Sequence, residues 1–247
     1  MKTQVFASPK YVGDPINAVR IFNEKEVDEI LVLDIDATAR RRSPDYDLIR
    51  KLAAECRMPL AYGGGVSRVD EVERLVGLGV EKVCLSAAAV ADPGLIHRAS
   101  DVVGSQSVAV VMDVGVGKTK SGYELFTNNG RIATGLEPAS FASEMAAAGA
   151  GEIIVNSISR DGMMKGYDLE LARLVRDAVA TPMTILGGAG SLSDVGALIS
   201  KFGVIGAAAG SLFVFKGVYR AVLINYPNRE IKDKLVAEAI ATFERGC

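Results

Sequence analysis

The chain has 247 residues, of which 49% are hydrophobic, and its formal net charge is −2 at pH 7. This length allows one large domain or two small ones, and α/β barrels of this length often form a single domain. The near-neutral charge gives no electrostatic basis for nucleic-acid binding, and no apolar run reaches the roughly 20 residues that span a bilayer. The three cysteines lie far apart without metal-ligand spacing, and an odd number without a signal peptide favours a reducing cytoplasm.

Short apolar runs alternate with amphipathic stretches along the chain. The runs suit parallel strands covered on both faces, and the stretches between them carry apolar residues at helical spacing. The predicted strands are 30–35, 58–62, 82–86, 107–113, 152–157, 183–187 and 204–209. The predicted helices include 15–25, 68–78, 93–102, 137–149, 168–180 and 191–202. This alternation predicts parallel strands joined by right-handed crossovers.

The longest interruption of the alternation, 114–135, contains Tyr123–Thr127 followed by Asn128, Asn129 and Gly130. Asn-Gly is a strong signal for a hairpin turn. We therefore predict a β-hairpin inserted after the fourth predicted strand, at the end of the barrel where active-site loops lie.

The two halves of the chain repeat one pattern. Residues 29–90 and 152–213 both run through a buried strand, a helix, a strand ending in a glycine cluster, another helix, and a strand ending in small residues. The same order at nearly the same spacing predicts an α/β fold, a (β/α)8 TIM barrel with a two-fold half-barrel repeat. We expect one domain, 1–247, with half-barrels at about 1–103 and 104–247.

The first half contains one strand fewer than the second. The strand equivalent to 107–113 should precede the printed sequence, because residues 1–12 contain Pro9 and too little apolar sequence for a buried strand. Residues 1–12 are interpreted as a loop leading to the first helix. We expect either that the N-terminal strand is truncated, or that residues 2–7 or a neighbouring chain fill its place.

Glycine clusters at the ends of two equivalent strands predict two phosphate sites on one face of the barrel. Glycines let backbone N–H groups approach a phosphate, and the helix that follows adds partial positive charge. A tight turn would explain a single glycine triplet equally well, but two at matched positions favour phosphate and hence a bisphosphorylated small-molecule ligand. The predicted sites are Gly64, Gly65, Ser86 and Ala87, and Gly187, Gly188, Gly210 and Ser211.

Charged residues mark both ends of the predicted strands. Asp113 closes an apolar strand at the barrel mouth, where a carboxylate is suited to proton transfer, although a structural acid that binds loop amides is the alternative. Glu29, Lys82 and Glu152 lie at the opposite, N-terminal ends of their strands. Charge at that face usually serves stability, but three charges at equivalent positions could instead form a ring around the bottom opening.

Motifs spread over nearly the whole chain resemble the cyclase subunit of imidazole glycerol phosphate synthase, the HisF family. The matching segments are 13–15, 28–34, 63–66, 134–136, 149–153, 159–162, 166–171 and 187–190. Members of this family are (β/α)8 barrels that take ammonia from a partner glutaminase through the barrel interior. They cleave and cyclise a ribulosyl bisphosphate into imidazole glycerol phosphate, a step of histidine biosynthesis. The resemblance implies a cytoplasmic lyase with a glutaminase partner and with neither a cofactor nor a metal.

The resemblance also implies roles for individual residues. Asp113 matches one of two catalytic aspartates, and the other would lie on the strand that is missing here. Lys2 matches the lysine of the family's mobile first loop. Asp161 and Gly162 match residues of the second phosphate site, although the pair could simply form a turn. The implied members of a charged ammonia gate are Glu29, Lys82 and Glu152.

Several positions depart from the family pattern. Ser86 and Ala87 replace the usual Asn-Thr and predict a weaker first phosphate site, Leu186 replaces a serine, and Asn156 replaces a threonine. Other segments are similar to paralogues encoded with surface-polysaccharide genes and associated with ammonia transfer to a sugar-modifying amidotransferase; these segments are 10–29, 58–65 and 220–227. The sequence therefore leaves open a cyclase and an alternative: a barrel that channels ammonia without cyclisation.

Overall fold

The computed structural model describes residues 2–217 and 219–246, with the backbone alone for Lys2. An N-terminal hairpin precedes the alternating elements of the first half. These elements are β1 (Lys2–Gln4), β2 (Ala7–Lys10), α1 (Pro15–Glu24), β3 (Ile30–Leu33), α2 (Tyr46–Glu55), β4 (Leu60–Gly63), α3 (Val69–Gly77), β5 (Lys82–Leu85), α4 (Ala87–Ala91) and α5 (Gly94–Val103).

The second half continues the alternation and ends in a long helix. Its elements are β6 (Val108–Val116), β7 (Tyr123–Thr127), β8 (Ile132–Ala133), α6 (Pro138–Ala147), β9 (Glu152–Ser157), α7 (Leu169–Arg176), β10 (Met183–Leu186), α8 (Leu192–Phe202), β11 (Gly206–Ala207), α9 (Ser211–Val214), β12 (Phe215–Lys216), β13 (Ala221–Val222) and α10 (Arg229–Gly246).

Seven strands form one parallel path in the order β11-β10-β9-β6-β5-β4-β3. Their carboxyl ends therefore meet on one face, which is the mouth of the barrel. This confirms the predicted α/β barrel fold and the predicted order of its strands. The last strand is shorter than the predicted 204–209, because its small residues provide few side chains to pack. At Gly206 a Cβ atom would overlap the side chain of Thr184 on the neighbouring strand.

Alternate residues of each strand face two different cores. In β6, Val108, Val110 and Met112 contribute to the large core beneath the helices. The residues between them, Ala109 and Val111, face the barrel interior. The whole interior cluster consists of Ala61, Cys84, Ala109, Val111 and Ile154, with Leu31, Leu33 and Leu186 packed against it. Several of these side chains are small, so the interior keeps open space.

The predicted hairpin after the fourth parallel strand is confirmed. β7 pairs antiparallel with the mouth end of β6 and also with β8. Asn128, Asn129 and Gly130 turn the chain between β7 and β8, and all three have positive φ angles. Asparagine and glycine tolerate this conformation better than other residues, which explains why the sequence signal was reliable.

The N-terminal residues fold differently from the prediction. β1 and β2 pair only with each other, so the expectation that residues 2–7 fill the missing strand is wrong, and 1–12 is not simply a loop. The Asp161 loop holds this hairpin at the mouth, since Val5 N donates to Asp161 O at 2.9 Å and Thr3 Oγ1 donates to Asp161 Oδ2 at 2.5 Å. Pro9 lacks an N–H, which weakens this segment as a ladder strand.

Among the residues that the structure describes, no strand pairs with the outer edge of β3 or β11. A cavity of about 1360 Å³ runs along both free edges; its lining includes 30–33 of β3 and 205–210 around β11. This volume exceeds the roughly 300–1,000 Å³ of usual ligand pockets. On the α10 side of the cavity, Tyr226 and Lys232 both donate hydrogen bonds to Asp28, at 2.7 and 2.6 Å. Two predictions for the strand between β3 and β11 remain: a segment upstream of residue 1, and a strand from a neighbouring chain.

We expect an added strand to stabilise the barrel. A copy of 108–115 fused directly before residue 2 carries the alternation that a strand between β3 and β11 needs. New ladder hydrogen bonds and buried apolar area should raise the midpoint of thermal unfolding by about 4 °C or more, measured by calorimetry. The control is the same fusion with serine at the copies of Val108, Val110 and Met112. Equal midpoints for the two fusions would contradict the proposed pairing.

Candidate functional site

Asp113 and Asn156 form a polar pair at the mouth end of the interior. They lie opposite each other on β6 and β9, and Asn156 Nδ2 donates to Asp113 Oδ1 at 2.9 Å. Burial raises the pKa of Asp113 to about 6, the charge of Asp161 adds to this effect, and the Asn156 hydrogen bond opposes it. A carboxyl group with such a pKa exchanges protons readily near neutral pH, which suits general acid–base chemistry.

The amide oxygen of Asn156 is the unusual atom of this pair. Asn156 is 5% exposed, and its Oδ1 atom has no hydrogen-bond partner among the described residues. A buried acceptor without a partner is costly, so such atoms call for an explanation. Asn156 lines the large cavity together with Asp113. The unpaired oxygen is therefore placed to accept an N–H or O–H from a molecule bound there.

The residues of the predicted first phosphate site come together at the mouth of the large cavity. Gly64, Gly65, Ser86 and Ala87 all line it. Gly64 has a φ of +119°, and a Cβ atom there would overlap the carbonyl oxygen of Asp34. Close backbone packing thus requires this glycine with or without a phosphate, and the phosphate role stays a prediction.

The residues of the predicted second phosphate site line a separate small pocket of about 10 Å³. Its lining is Asp161, Gly162, Leu186, Gly187, Gly188, Ala189, Ala208, Ala209, Gly210 and Ser211. Gly188 repeats the geometry of the first half, with a φ of +111° and no room for a Cβ atom beside the carbonyl of Gly166. The structure therefore brings together every residue that the sequence assigned to this site.

Asp161 has a structural role that the sequence did not reveal: it binds the N-terminal hairpin. Its carboxylate accepts hydrogen bonds from Thr3 Oγ1 and, at 3.3 Å, from Phe6 N, and its backbone carbonyl holds Val5. The Asp161 loop therefore anchors the N-terminal hairpin over the mouth. The side chain of Lys2, which the resemblance assigned to a mobile loop, lies outside the described residues.

The three charged residues at the bottom of the barrel form a connected cluster. Lys82 Nζ lies 2.9 Å from Glu29 Oε2 and 2.8 Å from Glu152 Oε2. Burial by itself would lower the pKa of Lys82, but hydrogen bonds from the ammonium to Glu152 and Glu29 outweigh burial, so the pKa is raised. Thr184 Oγ1 also donates to Glu152 Oε1 at 2.6 Å.

The sequence analysis missed Thr184. The signal was a polar residue at the start of an otherwise apolar strand, 183–186, two positions before the inward-facing Leu186. Because side chains alternate along a strand, Thr184 and Leu186 share the inner face. The same periodicity places Glu29, Lys82 and Glu152 two positions before inward-facing residues of their own strands.

One continuous cavity joins the two ends of the barrel. Glu29, Glu152 and Thr184 line its lower part, while Asp113 and Gly64 line its upper part. Interior side chains form the wall between them, including those of Leu31, Ala61, Cys84, Val111 and Ile154. Apolar side chains thus lie between the charged cluster and Asp113 along this cavity.

Within 2–217 and 219–246, no group of three or more His, Cys, Asp or Glu side chains is arranged to hold a metal ion. In the same part of the chain, no helix has both the length and the apolar character of a membrane-spanning segment.

The parallel strand order, with candidate-site residues at the carboxyl ends of the strands, defines an α/β barrel protein of the (β/α)8 class. The chain belongs to the family described as histidine biosynthesis protein, whose model matches residues 1–220. This match includes all of the parallel strands and every residue of the candidate site.

Relatives of known name cover almost the full length of the chain. A Leptospira interrogans protein, provisionally named imidazole glycerol phosphate synthase subunit HisF, is 50% identical over 235 residues, which are 95% of this chain and 92% of the relative. A Vibrio vulnificus strain YJ016 protein, provisionally named subunit hisF3, is 48% identical over 95% of this chain and 90% of its own length. A Clostridium botulinum strain Langeland protein named subunit HisF is 37% identical over 91% and 89%.

The raised pKa of Asp113 predicts a specific pH dependence of stability. A carboxyl group with a pKa near 6 when folded and about 3.9 when unfolded binds more protons in the folded state between these values. It therefore reduces the stability of the folded state as pH rises from 4 to 6. We expect Asp113→Asn to remove this loss and to raise the free energy of unfolding at pH 7 by about 2 kcal/mol relative to the wild-type chain.

Urea unfolding at pH 4, 5, 6 and 7 measures this effect. The same substitution at Asp177, which is exposed at the C-terminal end of α7, is the matched control and should leave the pH slope unchanged. An Asp113→Asn variant with the wild-type slope would show that Asp113 ionises normally in the folded protein.

Proposed function

We propose that the chain is a HisF-type cyclase subunit of imidazole glycerol phosphate synthase, acting with ammonia on a ribulosyl bisphosphate in histidine biosynthesis. The observation that carries this proposal is the cavity that joins the charged cluster at the bottom to Asp113 at the mouth. The names of the relatives support the cyclase role and do not favour the alternative, a barrel that channels ammonia without cyclisation.

The geometry of the mouth supports separate roles for the glycine-lined sites, which would bind phosphate, and for Asp113, which would transfer a proton. The two glycine-lined sites lie in different half-barrels, so a ligand with a phosphate at each end would stretch across the mouth between them. Its reacting centre would then lie over Asp113, which takes or delivers a proton. Asn156 orients the Asp113 carboxyl group, and its free Oδ1 atom would accept a hydrogen bond from an N–H group of the substrate or of ammonia.

We further propose that ammonia enters from the opposite end, from a glutaminase partner docked at the face that bears Glu29, Lys82 and Glu152. Charged groups linked by hydrogen bonds can open by rotation of the flexible lysine side chain. The apolar interior above them favours passage of neutral ammonia over ammonium, because burying a charge without a partner is costly.

The same proposal includes a single domain of two half-barrels, about 1–103 and 104–247, and a reducing cytoplasm as the place of action. Cys56 and Cys84 are both free thiols, as such a compartment allows.

Turnover of a ribulosyl bisphosphate substrate with ammonium salts tests the cyclase role. Because the proposed partner acid of Asp113 would lie on the eighth strand, we expect very low turnover from the chain as printed. Fusion of 108–115 before residue 2 places a second aspartate, the copy of Asp113, at the mouth, and should raise turnover. It should also complement a cyclase-deficient histidine auxotroph.

The matched control is the same fusion with asparagine at the copied aspartate, which should fold equally well and remain slow. Asp113→Asn in the active fusion should abolish turnover. A stabilised fusion with both aspartates that neither turns over nor complements would refute the cyclase role. Rapid turnover by the printed chain alone would refute the need for a second acid.

Lys82→Met tests the proposed gate. Removing the ammonium leaves two carboxylates facing each other, which should destabilise the fold by about 1–2 kcal/mol. In the active fusion bound to a glutaminase, Lys82→Met should lose glutamine-dependent turnover while ammonium-dependent turnover persists. Lys51→Met, on the exposed surface of α2, is the control. Equal loss with both nitrogen sources would argue against a role in ammonia passage.

A further inference from the structure

The hairpin of β12 and β13 carries an arginine that the proposed function does not use. The segment 220–227 follows the tip of this hairpin, and Arg220 lies immediately before β13. The hairpin comes directly after Ser211 and α9, so it stands beside the small pocket that contains Gly187 and Gly188.

Contacts on several sides hold Arg220 beside this pocket. Its Nη2 atom donates to Ser211 Oγ at 3.4 Å, and its guanidinium carbon lies 4.7 Å from the centre of the Phe215 ring. Its backbone carbonyl accepts a hydrogen bond from Lys10 Nζ at 2.7 Å. Phe215 is buried, so the ring is a fixed support for the guanidinium group. The arginine is therefore preorganised, and little conformational entropy remains to be lost on binding.

The charge around Arg220 is not balanced by nearby acids. Lys10 Nζ also approaches the Phe215 ring, at 5.1 Å from its centre, so two cations contact one aromatic ring. Neither cation has a carboxylate within salt-bridge distance among the described residues. Asp161 lines the pocket, but its Oδ2 atom already accepts hydrogen bonds from Thr3 and Phe6. Two like charges around one ring without a counter-ion indicate a place for an anion.

The first site lacks such an arrangement. Arg42, which lies beside the first glycine cluster through its backbone, pairs with Asp34 at 3.5 Å. Ala87 also offers no hydroxyl group there, whereas Ser211 does so in the second site. The two mouth pockets therefore differ in charge although the backbone around Gly64 and Gly188 repeats.

We propose that Arg220 is an anion-binding residue of the second site, where its guanidinium group contacts a phosphate monoester held between the glycine turn and Ser211. Lys10 adds a second positive charge at longer range. This assignment rests on the proposed function, which supplies the phosphate at that place. It makes the second site the stronger of the two, and so it determines which end of a bisphosphorylated ligand is held more tightly.

Titration of the full chain with inorganic phosphate tests the assignment, with binding followed by calorimetry and by the phosphate-induced shift of the unfolding midpoint at constant ionic strength. We expect Arg220→Ala to lower the affinity of the second site, the tighter of the two, for phosphate by about 10- to 100-fold. Arg220→Lys keeps the charge but not the planar fork, and should retain part of the affinity. Lys216→Ala, an exposed lysine of the same hairpin, is the matched control and should bind as the wild-type chain does.

A double-mutant cycle separates the two sites. Arg220→Ala and Ser211→Ala should be non-additive, because both act on one phosphate, whereas Arg220→Ala and Ser86→Ala should be additive. If Ser211→Ala weakens binding while Arg220→Gln and Arg220→Lys bind like the wild-type chain, the role of Arg220 is wrong and the phosphate site stands. If neither Ser211→Ala nor Ser86→Ala changes binding, the phosphate sites of the proposed function fail as well.

Discussion

The small side chains on the inner face of the strands are the constraint on which the rest of this barrel depends. Barrel interiors of this class are usually filled by layers of bulky branched residues. Here Ala61, Ala109 and Cys84 occupy inward positions, and Ala61 and Cys84 line the long cavity. The stability of the fold therefore rests on the other face of each strand, where residues such as Val110 and Ile153 pack beneath the helices.

The open interior lies between two sets of polar residues, one at each end of the barrel. The cluster around Lys82 closes one end with charges that satisfy one another, so no lone charge is buried. The pair of Asp113 and Asn156 stands at the other end with one free acceptor. Burial raises the pKa of Asp113, and burial without a partner likewise costs more for a charged molecule than for a neutral one.

The half-barrel repeat is carried by backbone geometry more than by side-chain chemistry. Gly64 and Gly188 adopt the same conformation against a neighbouring carbonyl, although the residues around them differ. The two halves differ in their side chains. Asn156 donates a hydrogen bond to Asp113 in the second half, and Arg220 contacts Ser211 at only one of the two mouth pockets. A duplicated scaffold of this kind gives two similar pockets whose affinities can be tuned separately.

The sequence by itself determined the parallel strands, the hairpin after β6, and the grouping of the strand-end residues, because these depend on local periodicity and turn chemistry. It also placed Glu29, Lys82 and Glu152 at the bottom of the barrel, at the N-terminal ends of their strands. It did not show that Thr184 completes their cluster, that Asp161 anchors the N-terminal hairpin, or that Arg220 reaches Ser211. Each of these contacts joins residues that the packing of distant elements brings together, so no local sequence pattern predicts it. Only the tertiary structure decided that 2–4 and 7–10 pair with each other, since their edge hydrogen bonds could be satisfied in more than one place.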